Sequence, residues 1–102
     1  MAEVIWTEPA LEELNAIAEY IAIDNEGAAR KLVGNVFRSV SRLETHPESG
    51  RVPPELLESR YREVIIGPCR VFYRLDGSSV FIVFVLRSER DLRNYLIDRL
   101  DL

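Results

Sequence analysis

One cysteine, one histidine and one lysine occur in 102 residues, and each scarcity excludes something. Cys69 alone cannot close an internal disulfide, which suits a reducing compartment such as the cytoplasm. With His46 as the only histidine, a structural zinc site is not expected, and neither a metal nor a cofactor is called for. The longest apolar run is far shorter than the roughly 20 residues of a membrane helix. The opening MAEVIWTEP lacks a basic segment followed by an apolar one, so no signal peptide is expected. A net charge of −4 gives no overall attraction to nucleic acid.

What is present is a folding composition, 47% hydrophobic and 29% charged, sized for one domain over residues 1–102. Charge is unevenly spread. Glu3, Glu8, Glu12, Glu13, Glu19, Asp24 and Glu26 load the first quarter, and every basic residue lies beyond residue 29. All but Lys31 of the basic residues are arginine, a planar, weakly hydrated cation suited to carboxylates, phosphates and interfaces.

Residues 3–6 (EVIW) read as a short strand. Thr7 is placed to cap a helix, with Glu8 and Pro9 acceptable in its first turn. Leu11, Leu14, Ile17, Ala18 and Ile21 follow at helical spacing. Asp24 or Asn25 caps a second helix, whose stripe is Ala29, Leu32, Val33, Val36, Phe37, Val40 and Leu43. Pro47 ends it by His46. The short connection makes the two helices antiparallel, the first acidic on its outside and the second basic through Arg30, Lys31, Arg38 and Arg42.

The remainder is organised around YREVIIGPCRVFYRLDGSSVFIVFVL, residues 61–86. Gly67-Pro68 and Asp76-Gly77 divide it into three strands. The last, 80–86, is apolar throughout. Simple alternation puts Val80, Ile82, Phe84 and Leu86 on one face and Phe81, Val83 and Val85 on the other. Both faces then need cover, either from the chain's own elements or from a partner. Leu92, Tyr95, Leu96 and Leu100 suggest a short final helix from about Asp91.

Four stretches in order, VIWTEPALEELNAIAEYIA, HPESGR, YREVIIGPCRVFYRLDG and VFVLRSERD, resemble toxins of the RelE/ParE superfamily, nearer the ParE branch. The resemblance implies an α+β fold: an N-terminal strand, an antiparallel helical hairpin packed on a small antiparallel sheet, and a short C-terminal helix. It implies a type II toxin–antitoxin toxin, in a hetero-oligomer with its cognate antitoxin. The antitoxin segment would lie on the sheet face away from the helices, against Phe72, Arg74, Phe81, Val83 and Val85.

The superfamily contains ribosome-dependent mRNA nucleases and inhibitors of DNA gyrase. Metal-free RNA cleavage needs a base, an acid and cations for the phosphate. At positions resembling those of the nucleases stand Arg62, Arg70 and Arg90, but Val64 replaces a second lysine and Tyr95 falls on an apolar stripe. Arginine is a poor base. The sequence therefore favours gyrase as the target, with no catalytic residues and with Arg70, Arg87 and Arg90 contributing to target binding. The alternatives are the nuclease and a non-toxic antitoxin-binding member. Arg70 and Arg74 also have structural partners available in Glu63, Asp76 and Asp91.

Overall fold

The computed structural model describes residues 1–88. The final helix, Arg90 and Tyr95 lie outside the described residues. Strand β1 (Glu3–Trp6) leads into helix α1 (Glu8–Asp24), and α2 (Glu26–Ser41) returns beside it. Asn25 makes the reversal: its side chain accepts from the Ala28 N–H, which caps α2. A 3₁₀ turn at Arg42–Glu44 ends this helical hairpin. A second 3₁₀ turn, Pro54–Leu56, interrupts the proline-stiffened loop before β2 (Tyr61–Ile66), β3 (Cys69–Asp76) and β4 (Ser79–Arg87). Gly67 and Gly77 take φ values of 55° and 62° in the two hairpin turns, which is where glycine is cheapest.

The sheet order is β1-β4-β3-β2. β2, β3 and β4 are antiparallel as expected, whereas β1 adds to β4 in parallel. The helices cover one face. Ala10, Leu14, Ile17, Leu32, Val36, Val40 and Leu43 pack there on Ile66, Cys69, Val71, Tyr73, Val80, Ile82 and Val85. Trp6 and Phe37 close one flank with ring centroids 4.8 Å apart.

Two expectations are corrected. Thr7 does not cap α1 through its side chain. Its hydroxyl instead donates to the Ile82 carbonyl at 2.7 Å, because β1 runs alongside β4 and brings Thr7 to that carbonyl. Nor does β4 alternate simply. Its register against β3 slips between Phe72 and Tyr73, so Phe72 faces Phe84 while Tyr73 faces Ile82. Val83 is the extra residue of a bulge. Beyond it the phase inverts, and Val85 rather than Phe84 enters the helix-side core. The bulged backbone is tied to α1, since the Val85 N–H donates to Glu13 Oε1 at 3.0 Å.

Candidate functional site

The bulge decides what the far face of the sheet, away from the helices, displays. Phe72, Phe84 and Leu86 form a second apolar cluster there, with Leu56, Tyr61 and Val83 against it. Phe72 and Phe84 stack with centroids 4.6 Å apart, and Tyr61 meets Phe84 edge-on at 5.7 Å. Phe72, Phe84 and Leu86 are buried, so the chain itself covers this end of β4 on both sides. The expectation of an open second face therefore holds only towards the start of the strand. There Phe81 and Val83 stay partly exposed. Arg74 lies over the Phe81 ring at 4.8 Å, with its guanidinium 3.6 Å from Asp76. Of the five residues expected to meet an antitoxin, Phe72, Arg74, Phe81 and Val83 share the far face, and Val85 does not.

The other end of the far face is ionic. Glu63 on β2 is 1% exposed and sits between two guanidiniums. Arg70 Nε donates to its Oε1 at 2.7 Å, and Arg51 Nε donates to its Oε2 at 2.8 Å. Arg70 also grips Glu55 with both terminal nitrogens, at 2.8 and 2.9 Å, in the planar fork that suits a carboxylate. Those hydrogen bonds hold the Glu55 carboxyl down at about 2 and push the Arg70 guanidinium above its ordinary value. Arg70 further lies 5.0 Å over the Phe72 ring. The backbone repeats the link, because Arg51 and Glu63 exchange both N–H···O bonds. So Glu55 and Arg51, on the loop, are fixed to Glu63 and Arg70, on the sheet.

The same loop is held from the helix side by Tyr73. Its hydroxyl donates to the Pro47 carbonyl at 2.8 Å and accepts from the Gly50 N–H at 2.9 Å. Burial raises its pKa. Gly50 is needed for this approach, since a Cβ there would stand 2.5 Å from the hydroxyl oxygen. Arg62 completes the hold by donating to the Glu48 and Gly50 carbonyls, at 3.2 and 2.9 Å.

The two described nuclease candidates both take structural partners. Arg70 uses Nε and both terminal nitrogens on carboxylates, and Arg62 is turned to main-chain carbonyls. Arg87 lies over the Tyr20 ring at 4.8 Å on the α1 side. It is not brought beside Arg70, and Arg90 is outside the described residues. Sequence reasoning offered Glu63 as a partner for Arg70 and missed Glu55 and Arg51. A carboxylate in a loop gives no periodic signal, and the Glu55–Arg70 separation of 15 residues has no local pattern.

Comparison with known proteins agrees with this architecture. The sequence model of the family described as "ParE toxin of type II toxin-antitoxin system, parDE" matches residues 4–92. The chain belongs to the ParE toxin family. This toxin is 34% identical over 92 residues to Toxin RelE2 of Caulobacter vibrioides, a match covering 88% of the chain and 99% of that relative. Its fold matches a chain of the chromosomal ParDE system from P. aeruginosa, with a TM-score of 0.72 and 23% identity, over 87% of this chain and 98% of that one. A chain of the RelBE2 toxin–antitoxin complex from Mycobacterium tuberculosis matches with a TM-score of 0.55 and 22% identity, over 84% and 96% of the two chains. Among the described residues of the toxin, no helix is long and apolar enough to cross a membrane.

Proposed function

We propose that this toxin acts on DNA gyrase by binding rather than by cutting RNA, and that a cognate antitoxin neutralises it. The observation that carries the first part is the state of Arg70. A cation that stabilises a scissile phosphate must have donors to offer it. Arg70 has committed its donors to Glu55 and Glu63 in a nearly buried site. Arg62 turns Nη1 to the Glu48 and Gly50 carbonyls. Arg70 then serves to hold the loop, and Arg87 carries the proposed target contact within the described residues.

The antitoxin part is supported by the exposed end of the far face and by the relatives. An extended or helical segment with apolar side chains over Phe81 and Val83, and a carboxylate for Arg74, would complete that face. The solved structures that share the fold are titled as a ParDE system and a RelBE2 toxin–antitoxin complex. Ribosome-dependent mRNA cleavage is the second reading, favoured by the name of the 34% identical relative, Toxin RelE2.

Purified toxin added to a gyrase supercoiling reaction should inhibit it or trap cleaved DNA, and antitoxin should reverse the effect. Gyrase left untouched while translated mRNA is cut at codons would hand the assignment to the nuclease. Normal growth on expression without antitoxin would defeat both readings and leave an antitoxin-binding, non-toxic member.

A further inference from the structure

The loop that closes one end of the far face is held unevenly. Its first part, 47–53, is fixed by the Tyr73 hydroxyl, by the Arg51–Glu63 backbone pair and by Arg62, and Pro53 is buried. Its second part, 54–60, is tied down less. Among the described residues, its backbone hydrogen bonds are local: the Leu56 N–H donates to the Pro53 carbonyl and the Ser59 N–H to the Leu56 carbonyl. Leu57 is 73% exposed, and a hollow of about 560 Å³ is lined by residues 54–59 alone. Two neighbouring side chains clip this strap to the sheet. Glu55 grips Arg70, and Leu56 packs on the cluster of Phe72, Phe84 and Leu86. A second cavity, of about 210 Å³, lies beside the Glu55–Arg70 fork.

The sheet beneath repeats one unit, an arginine over a phenylalanine ring. Arg70 lies over Phe72 at 5.0 Å, and Arg74 lies over Phe81 at 4.8 Å. The unit at Arg74 is partly exposed, whereas the unit at Arg70 is filled by the chain's own carboxylate and leucine. A carboxylate beside a large apolar group is also what the proposed antitoxin contact requires at Arg74 and Phe81. We infer that the strap is a built-in stand-in for the antitoxin, whose bound segment lifts 54–60 and takes both units. Its own carboxylate then replaces Glu55 on Arg70, and its own apolar side chain replaces Leu56 over Phe72. This rests on the proposed antitoxin contact and extends it along β3 from Arg74 to Arg70.

The geometry sets what the partner must carry. Arg70 and Arg74 are four residues apart on one strand, about 13 Å. The antitoxin segment therefore needs two carboxylates at about that separation, each with an apolar neighbour. Lifting the strap breaks the two Glu55–Arg70 hydrogen bonds and uncovers one leucine, while the 47–53 anchor stays closed. It is a local opening, separate from global unfolding. The strap then competes from within the chain: the measured association constant equals the intrinsic one multiplied by the fraction of chains whose strap is open. Loosening the clip at Glu55 thus tightens antitoxin binding.

Hydrogen exchange of the full chain, with and without its cognate antitoxin, tests this alongside titration calorimetry. In the free chain, the Leu56 and Ser59 amides report opening of the strap. Glu55→Gln, which weakens a two-pronged bond to a charged group, should speed their exchange about tenfold or more. Antitoxin affinity should rise by the same factor. In the complex, the same two amides should exchange faster than in the free chain, because the strap has been lifted. Unchanged or weaker binding by Glu55→Gln, or Leu56 and Ser59 amides more protected in the complex, overturns the inference. Arg74→Glu separates the two levels of the argument, since Arg74 needs no opening to be reached. If it weakens binding at least tenfold while Glu55→Gln has no effect, the antitoxin contact stands and the strap's part in it falls. If it leaves binding unchanged, both fall together.

Discussion

Replacing Glu63 by alanine strips the acceptor from two guanidiniums at once, Arg70 at 2.7 Å and Arg51 at 2.8 Å. Removing one partner of a buried ion pair costs about 3–5 kcal/mol, because the surviving charge is stranded in a poor solvent. Two features place this site at the lower end. The Arg51 side chain is 55% exposed and can rehydrate, and Arg70 retains its two-pronged bond to Glu55. The expected loss is therefore about 3 kcal/mol. For a chain of 102 residues, stability near the midpoint changes by about 0.2 kcal/mol per degree, so the melting temperature should fall by roughly 15 °C. Thermal unfolding followed by circular dichroism measures this. The companion variant, Glu63→Leu with Arg70→Met, leaves no buried charge unpaired, since Glu55 is 26% exposed and Arg51 more so. Paired apolar replacement is often close to neutral, and most of the lost stability should return. A fall of under about 3 °C in the single variant, or a double variant no better than the single, would refute the argument that this ion network anchors the loop.

The Glu55 carboxyl, held at about 2 by Arg70, makes a pH prediction. A depressed folded pKa gives stability that is complete above the ordinary carboxylate value and is lost as pH falls from about 4.5 towards 2. Glu55→Gln should flatten that part of a urea-midpoint-against-pH curve, and a curve parallel to the parent's would contradict it. Gly50→Ala should cost about 2 kcal/mol, because its Cβ would meet Tyr73 and stand 2.9 Å from the Glu63 carbonyl oxygen; unaltered denaturant midpoints would count against the tight approach. Tyr73→Phe should cost about 1–3 kcal/mol in the same assay, by leaving the buried Gly50 N–H and Pro47 carbonyl without their partner. Val83→Asp should cost about 2 kcal/mol in folding or in antitoxin affinity, measured by melting and by titration calorimetry; no change in either removes Val83 from both roles.

The elements of the fold were legible because they rest on local rules. The helical stripes, the cap at Asn25 and the glycines at the two hairpin turns each act within a few residues. The parallel docking of β1 on β4 and the bulge at Val83 are set by partners more than 70 residues away, Thr7 with Ile82 and Glu13 with Val85. No pattern inside 80–86 announces them, since that stretch is apolar on either phase. The consequence reaches the candidate site. Had β4 alternated without interruption, Val85 would have joined Val83 on the far face, and Phe84 and Leu86 would have entered the helix-side core. The inserted residue turns two large side chains, Phe84 and Leu86, outward onto Phe72, where Leu56 of the loop packs on them. That loop is in turn pinned by Glu55 to Arg70 and by Arg51 to Glu63. The bulge thus supplies the apolar half of the loop's anchorage and the ion network the polar half. This is why an arginine that resembles a nuclease's phosphate ligand in sequence is, in the folded chain, already bound to carboxylates. Where the loop stops short, Phe81, Val83 and Arg74 stay partly exposed, and the proposed antitoxin contact falls there.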